Sequence, residues 1–435
     1  MVTEAVMDME RQAFAETARG TTAQTAFPEI PAKHAIPYVA LSVLLMSFSS
    51  LFSVVPILLF LLLWMRHAFY KGVFMLRPAA SLSLTVALPF LACYSIFWSQ
   101  QPGRSLYSGL EFLAMALCAV IIGRGVSAAV FARGLTLGIA IALIITFVDG
   151  THAIDYESQR SALVGLFGSK NQVGFLASIG VYTSLVLLFS RIGGWQKFFF
   201  AVLPFAVCLP ALYASHSATS LASLVLGIGA AAALFCLTRL GHGRRNVGAA
   251  LVAFTLATLA VIILAVGADI TSPVFEALGK SPTLTGRTYL WGEGIRLGME
   301  HPLLGQGYAA FWTPGNGEAE RLWGKFFIAA RSGFHFHNLF VQGFIDLGIV
   351  GVVLLAALMG TTLIQSLRAV WRESGADSFY AFGIAFIFLV RAIVEVDLMG
   401  PFGLGPLLFL PLIPMLAAAR LRRTQQAHQA SLSIR

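Results

Sequence analysis

Two histidines that could act as a general base, His335 and His337, stand directly before Asn338 and a long apolar run. As metal ligands they would need a third and a fourth partner, and neither an HExxH pattern nor clustered carboxylates accompany them. A histidine at the boundary between water and lipid titrates near neutral pH, which favours acid–base chemistry over a purely structural hydrogen bond. We therefore predict no metal, and we predict His337 as the base because the following helix holds it. His335, Asn338 and Arg331 are predicted to orient or bind an acceptor.

Arg287 is the second candidate for a catalytic role. It follows Gly286 and precedes Thr288 in a turn that leads into a helix, so its guanidinium and nearby backbone N–H groups can bind an anion. The planar guanidinium holds phosphate oxygens in pairs, which favours anion binding in catalysis. A structural ion pair with Glu293 or another acid of the same segment is the alternative.

Other polar residues stand beside or within apolar runs. Arg160, Lys170 and Asn171 belong to one element, in which Lys170 could instead extend towards the membrane interface. Arg391 precedes Glu395 by one helical turn, so an internal ion pair is the alternative to ligand binding. We predict that Arg160, Lys170 and Arg391 bind an anion. Asn171 is predicted to orient or bind an acceptor.

The composition defines the setting of these residues. Hydrophobic residues make up 57% of the chain, charged residues only 11%, and the mean hydropathy is +0.80. A soluble domain carries about 25% charged residues, so the chain is predicted to be an all-α integral membrane protein. The four cysteines lie in apolar runs without a CxxC pattern and predict neither a disulfide framework nor a metal site. The net charge of +9 comes from scattered basic residues, so no nucleic-acid partner is predicted.

Twelve spans are predicted, each near the roughly 20 residues that a bilayer core requires. They lie at 36–65 (two short spans), 82–97, 105–123, 127–147, 170–190, 197–214, 219–238, 247–267, 338–366, 378–395 and 403–420. Nine spans thus fall within 36–268 and three within 338–420. Residues 1–35 are predicted to be a cytoplasmic tail rather than a signal peptide, and residues 421–435 a second tail. The polar segment between the ninth and tenth spans, residues 269–337, is predicted to be a functional domain because structureless loops beyond about 15 residues are uncommon.

The distribution of Lys and Arg predicts the orientation. With the N-terminus inside, 19 of the 29 Lys and Arg residues fall on the cytoplasmic side. Six lie in the polar segment, and the other four are Arg104, Arg160, Lys170 and Arg391. We therefore predict cytoplasmic termini and a periplasmic polar segment in a bacterial inner membrane. The outward basic residues break the charge rule, and an anionic ligand at the outer face, such as a lipid-linked diphosphate, would explain them.

Two carboxyl groups within predicted spans favour other roles. Glu111 is costly inside a span unless it is paired, and it could mark the proton pathway of a transporter. A transporter would normally show more such residues and more spans broken by Gly or Pro. Asp346 lies about two and a half turns beyond His337 on the same predicted helix, where it suits a structural partner. A non-catalytic membrane scaffold is a third class, which would tolerate the loss of both His337 and Arg287.

Four motifs occur in order along the chain. They are G-L-F-G-S-K-N at 165–171, T-G-R-T with Trp291 at 285–291, H-P-L-L-G-Q-G-Y at 301–308, and H-F-H-N at 335–338 followed by Gln342, Asp346, Gly348 and Gly351. They resemble the motifs of the O-antigen polymerase and ligase superfamily, the Wzy-type polysaccharide polymerases and WaaL-type ligases, over about residues 155–355. The T-G-R-T segment and the Lys-Asn pair look more like exopolysaccharide polymerases of the ExoQ kind. Asp346 stands where Glu is usual, and Ser215-His216-Ser217 stands where many members have a basic residue after serine.

The resemblance implies a GT-C-type fold of about twelve transmembrane helices with one large periplasmic helical loop domain. It also implies an inverting, metal-independent glycosyltransferase without a cofactor, whose donor is a glycan on undecaprenyl diphosphate. Arg287 and Arg160, helped by Lys170, would bind the diphosphate, and His337 would take the proton of the acceptor hydroxyl. The acceptor would be another glycan in a polymerase or lipid A–core in an O-antigen ligase. The residues leave that choice open, and transport of a polysaccharide or lipid remains the rival function.

Overall fold

The structure, a computed structural model, describes residues 29–52, 54–71, 79–154, 160–240, 248, 286–331 and 333–433. Most of these residues are helical. Apart from residue 248, the predicted span 247–267 lies outside the described residues, as do residues 269–285 of the polar segment and most of the predicted N-terminal tail.

Fifteen helices are described in these ranges. They are α1 (Ala32–Ser47), α2 (Ser49–Phe52), α3 (Val55–Lys71), α4 (Ala79–Tyr94), α5 (Pro102–Gly125), α6 (Ala128–Asp149), α7 (Lys170–Leu188), α8 (Gly194–Ala214), α9 (Ala218–Arg239), α10 (Arg287–Gly298), α11 (Gly317–Lys325), α12 (Leu339–Glu373), α13 (Ala376–Arg391), α14 (Leu404–Phe409) and α15 (Leu412–Ser433). The run at 36–65 is divided between α1 and α3, as predicted. The run at 378–395 ends early, because its helix stops at Arg391 and a turn follows.

Seven helical stretches in the described ranges are long and apolar enough to cross a membrane, and three shorter apolar helices accompany them. This confirms the prediction of a multi-pass helical membrane protein, while the count of twelve and the GT-C assignment stay predictions. The prediction that all elements are helical was incomplete. A short antiparallel hairpin joins α6 to α7, with β1 (His152–Ile154) paired to β2 (Ser161–Leu163).

The connections that the charge rule assigns to the outer side meet at one end of the bundle. The α4–α5 connection binds the polar segment there, since Gln100 N donates to Gln306 O at 3.0 Å and Ser105 Oγ donates to Tyr308 O at 2.8 Å. At the opposite end Ile30 N donates to Gly125 O at 2.7 Å, close to the start of the described chain. The two sets of contacts lie at opposite ends of α5, and the orientation of the spans in the membrane stays a prediction.

Helix α12 is broken near its start, and the break is where the polar segment docks. Gly348 has φ +63° and ψ −163°, which interrupts the helical hydrogen bonds. Two N–H groups after the break donate instead to the H-P-L-L-G-Q-G-Y motif, from Ile349 to Pro302 O at 2.9 Å and from Val350 to Leu303 O at 3.3 Å. Backbone polar groups in a membrane protein must find partners within the protein, so the break and the motif satisfy each other.

The described part of the polar segment, residues 286–337, has a hydrophobic core of its own. Helices α10 and α11 enclose it, and Asn316 caps α11 by accepting from Glu318 N at 3.1 Å. The buried core residues are Leu290, Leu297, Phe311, Ala319, Leu322, Trp323 and Phe336, together with Val341 and Ile345 of α12. Because the core includes residues of α12, the segment is packed against the span that follows it.

We predict that Gly348→Ala destabilises the protein. The φ and ψ of Gly348 belong to a region that only glycine adopts without strain, and a Cβ would overlap the backbone of Leu303. Strain of this kind costs on the order of 1–3 kcal/mol before the overlap is relieved. The measurement is the thermal unfolding midpoint in detergent.

Gly360→Ala on the same helix is the matched control. A Cβ at Gly360 meets no atom within 4 Å, and alanine favours the helix, so its midpoint should stay equal or rise. Equal midpoints for Gly348→Ala and the wild type would contradict the prediction.

Candidate active site

The segment His335–Asn338 is held at the start of α12 by a helix cap and by a neighbouring turn. The side chain of Asn338 accepts from Phe340 N and Val341 N, both at 3.0 Å. Its amide nitrogen donates to Ile393 O at 3.0 Å, which ties the cap to the turn after α13. Asn338 therefore orients the histidine segment, although acceptor binding by this residue stays a prediction.

His337 lies just outside the cap, in a left-handed backbone conformation with φ +50°. Its carbonyl accepts from Trp291 Nε1 at 3.3 Å, and its backbone N–H donates to Nδ1 of His335 at 3.1 Å. The imidazole is 23% exposed. The segment is thus fixed by α10, by α12 and by His335, while the ring of His337 keeps a solvent-facing edge.

Glu395 is the residue around which the site is built. It follows α13 in a turn, and its carboxylate is 6% exposed. One oxygen, Oε1, lies 3.2 Å from NH2 of Arg287 and 3.4 Å from Nδ2 of Asn171. The other, Oε2, lies 3.6 Å from Nδ1 of His337, an ion-pair distance slightly too long for a hydrogen bond. The carboxylate therefore joins the predicted base to the predicted anion-binding arginine.

The charges of the cluster favour an ionised carboxylate at Glu395. Burial alone would raise the pKa of Glu395, but its interaction with His337 and the positive charges of Arg391 and Arg287 outweigh burial and lower it. A negative charge next to Nδ1 favours the imidazole tautomer that carries its proton on this nitrogen. In that tautomer the other ring nitrogen, Nε2, is the one that can accept a proton.

His335 has a different environment. Its ring centroid lies 4.2 Å from that of His337, and burial, together with the electrostatic effects of the neighbouring His337 and Arg287, lowers its pKa to about 3. The ring is therefore neutral near pH 7, and its Nδ1 is already used to accept from the backbone of His337. His335 therefore holds the backbone of His337, and the roles of the two histidines in catalysis stay predictions.

The site also has a composition that can bind a metal. Ligand atoms of His335, His337 and Glu395 all lie within 4.8 Å of one another, so the structure supplies a third ligand that sequence analysis had not found. Oε1 of Glu395 is, however, shared by Arg287 and Asn171. A cation held by this carboxylate would also be repelled by the guanidinium beside it. The arrangement favours a proton over a metal ion, and the absence of a metal stays a prediction.

Arg287 takes part in this cluster and does not form the alternative ion pair with Glu293 or another acid of the polar segment. Besides its contact with Glu395, NH1 donates to Val394 O at 2.8 Å. Glu293, the acid proposed as its structural partner, pairs instead with Arg296 at 3.1 Å and with Arg321. The ion pair within the polar segment is thus made by other arginines, and Arg287 remains at the site.

Of the other predicted site residues, some belong to the cluster and others are exposed or bind elsewhere. Asn171 is in the cluster, and Lys170 precedes it as the first residue of α7. Arg160 is exposed directly before β2. Arg331 is exposed and pairs with Glu320 at 3.1 Å. The alternative in which Arg391 pairs with Glu395 is not the contact that forms, because α13 ends at Arg391 and the guanidinium binds Asp397 instead, at 2.6 and 3.1 Å. Anion binding by Arg391 stays a prediction.

One further carboxyl group singled out in the sequence, that of Asp346, lies away from the histidines. Asp346 is buried and accepts from Nε2 of Gln342 at 3.1 Å, while Oε1 of Gln342 lies 3.4 Å from the backbone N of Phe336. This supports the structural role predicted for Asp346.

Glu395 itself was noted in the sequence only as a neighbour of Arg391. An acid in a short apolar connection on the outer side was the signal that could have identified it.

Fold and site together define a multi-pass helical membrane protein with a histidine–carboxylate–arginine cluster at one end of its bundle. The protein family described as O-antigen ligase matches residues 203–356. The exopolysaccharide production protein ExoQ of Rhizobium meliloti (strain 1021) is 35% identical over 389 residues, which cover 88% of this chain and 88% of that protein. The chain therefore belongs to the O-antigen polymerase and ligase superfamily, membrane enzymes of the polysaccharide polymerase or ligase type.

We predict that Glu395→Gln lowers the thermal midpoint at pH 7, because it leaves the positive charge of Arg287 without its buried counter-charge. The pKa of Glu395 is lower in the folded protein than its ordinary value of 4.5. Its stabilisation is therefore complete above pH 4.5 and is lost as the pH falls towards the folded-state value. The difference in midpoint between wild type and variant should shrink below pH 4.5.

Glu300→Gln is the control for this prediction. Glu300 pairs with Arg296 at 3.6 Å, but both side chains are more than half exposed, so the exchange should change the midpoint little at any pH. A Glu395→Gln variant that matches Glu300→Gln at pH 7 would show that the carboxylate does not hold the site together.

Proposed function

We propose that the protein is an inverting glycosyltransferase that moves a glycan from undecaprenyl diphosphate to a sugar hydroxyl at the periplasmic face of a bacterial inner membrane. The observation that carries the proposal is the cluster of His337, Glu395 and Arg287. In this cluster the carboxylate of Glu395 lies at Nδ1 of the base His337 and also contacts the guanidinium of Arg287. Displacement of a diphosphate by a hydroxyl requires a base for the hydroxyl and a positive charge for the leaving group.

The carboxylate of Glu395 orients the base. It faces Nδ1 of His337 and so leaves Nε2 as the nitrogen whose lone pair can accept a proton. A base oriented by a third group is the arrangement found in catalytic triads, where the carboxylate also stabilises the imidazolium that forms. His337 accordingly takes the proton of the acceptor hydroxyl as the hydroxyl oxygen attacks the anomeric carbon of the donor.

Arg287 stabilises the leaving group. The bond from the anomeric carbon to the diphosphate breaks as the new glycosidic bond forms, and negative charge develops on the departing oxygen. Two of the five N–H donors of the guanidinium contact Val394 and Glu395, and the others are directed to phosphate oxygens in the proposed complex. Lys170 and the exposed Arg160 add positive charge along the path of the lipid diphosphate.

A diphosphate is a good leaving group, so neither a metal ion nor an acidic carboxyl group of the glycosidase kind is required. The single displacement inverts the anomeric configuration. Undecaprenyl diphosphate leaves with the electron pair, and the proton on His337 returns to water.

We propose a second lipid-linked glycan as the acceptor, which makes the protein a polysaccharide polymerase. The support is the similarity to an exopolysaccharide production protein over 88% of this chain. Transfer to lipid A–core is the second candidate, favoured by the family description of residues 203–356. The test is to supply the purified protein with lipid-linked oligosaccharide and to resolve the products by chain length. A ladder of longer lipid-linked products supports a polymerase, and transfer that occurs only after lipid A–core is added supports a ligase.

We predict that His337→Ala lowers single-turnover transfer at least about a hundredfold, because general base catalysis typically contributes 10²–10⁴-fold. His301→Ala is the control, since His301 is an exposed histidine of the same polar segment. It should transfer at the wild-type rate. EDTA should have no effect on the wild-type enzyme.

Two outcomes would contradict this prediction. Near wild-type transfer by His337→Ala would leave the protein without its proposed base and would favour a transporter or a scaffold. Loss of activity with EDTA, restored by zinc, would assign His335, His337 and Glu395 to a metal.

We predict that a reporter fused after Gly315 is periplasmic and that one fused after Gly193 is cytoplasmic. Both glycines are exposed, and a Cβ at either meets no atom within 4 Å, so the fusion points disturb little packing. The physical reason is the bias of Lys and Arg towards the cytoplasmic connections. A cytoplasmic reporter at Gly315 would place the cluster on the wrong face for a periplasmic glycan donor.

A further inference from the structure

A chain of buried and half-buried polar groups lies beneath the cluster, on the side of the helix bundle. We call it the serine–arginine network and define it as Asn171, Ser217, Ser220, Arg391 and Asp397. Oδ1 of Asn171 accepts from Ser217 Oγ at 3.2 Å, and Ser217 Oγ lies 2.9 Å from Ser220 Oγ. Ser220 Oγ accepts from NH1 of Arg391 at 3.1 Å, and Arg391 binds both oxygens of Asp397.

The burial of Arg391 is the unusual feature of this network. The side chain is 2% exposed, and its guanidinium lies 4.4 Å from the ring centre of Phe175. Removing an ion pair from water costs as much free energy as its attraction returns, so apolar side chains of similar volume often stabilise a protein equally well. Stability therefore does not explain why a charge occupies this position, and a role in the geometry of the site does.

The network reaches Glu395 by two routes. The first uses side chains, because Asn171 accepts from Ser217 through its oxygen and donates to Glu395 Oε1 through its nitrogen. The second uses the main chain, because the carbonyl of Arg391 accepts from the backbone N of Glu395 at 2.7 Å. The orientation of the Glu395 carboxylate is thus set from the bundle side by the network and from the polar segment by Arg287.

Close helix packing makes the first route possible. Gly174 faces the serine turn, and a Cβ at this position would lie 2.5 Å from Cβ of Ser217 and 2.9 Å from Oγ of Ser220. Only glycine allows α7 to approach the start of α9 so closely. Asn171, three residues earlier on α7, is thereby brought within hydrogen-bonding distance of Ser217.

We propose that the serine–arginine network is a positioning assembly that fixes the Glu395 carboxylate between His337 and Arg287, and that Arg391 is a positioning residue and not a ligand of the diphosphate. This inference rests on the proposed function. It also assigns a role to the Ser215-His216-Ser217 segment, in which Ser217 supplies the hydroxyl that connects α7 with α9.

Ser217→Ala tests the inference, with Ser223→Ala as the matched control. Both serines are buried at the start of the same helix, but Ser223 Oγ donates only to Ser220 O, within α9. Ser217→Ala removes the contacts of the Ser217 hydroxyl with Asn171 and with Ser220, including its cap of α9. We expect it to lower kcat about five- to tenfold, with less than a twofold change in the KM of an extracted lipid-linked repeat unit. Ser223→Ala should leave both constants unchanged.

Arg391→Lys separates positioning from direct binding of the diphosphate. Lysine keeps the charge but loses the paired contacts with Asp397, so a positioning role predicts a lower kcat with an unchanged donor KM. A donor KM raised tenfold or more, with kcat maintained, would make Arg391 a ligand and overturn the inference.

Transfer by His337→Ala at the wild-type rate would refute the proposed function itself. Loss of transfer in His337→Ala, combined with wild-type behaviour of Ser217→Ala, would refute the positioning assembly alone.

Discussion

Burying the carboxylate of Glu395 costs free energy that only charged and hydrogen-bonding partners can offset, and meeting this requirement brings five parts of the chain together. The carboxylate lies in the turn after α13. Its partners come from the start of α7, the start of α10 and the segment before α12, while the start of α9 holds Asn171 in place. These elements are far apart in sequence. One buried charge therefore determines where the ends of several helices must lie, and the proposed base and anion-binding arginine are positioned as a consequence.

A second constraint is the satisfaction of backbone groups where helices are interrupted. The break at Gly348 frees N–H groups that dock on Pro302 and Leu303, so the H-P-L-L-G-Q-G-Y motif is required for the stability of α12. The same docking holds the polar segment against the end of the bundle at which the histidines lie. In our proposal this motif contributes no reacting group, and it is the scaffold on which the reacting groups of the neighbouring motifs converge.

The two arginines that contact the loop 391–397 illustrate how burial separates roles that look alike in sequence. Arg287 and Arg391 are both outward basic residues by the charge rule, and both pair with acids of this loop. Arg287 is 15% exposed and lies beside His337 across Glu395, which suits contact with a substrate. Arg391 is 2% exposed and is enclosed by Asp397, Ser220 and Phe175, which suits a role in geometry.

The sequence by itself determined the class of protein, since spans of about 20 apolar residues and a bias of Lys and Arg are properties of the chain alone. It also identified His335, His337, Asn338 and Arg287, because residue type and a helix-start context are local. Only the tertiary structure selected Glu395 as the partner of both His337 and Arg287, and Asp397 as the partner of Arg391. The reason is that α13 ends at Arg391, so the spacing of residues along a helix no longer predicts which side chains meet. Contacts between Asn171, Ser217 and Glu395 depend on how closely helices approach, and that distance is a property of the folded protein and not of any one segment.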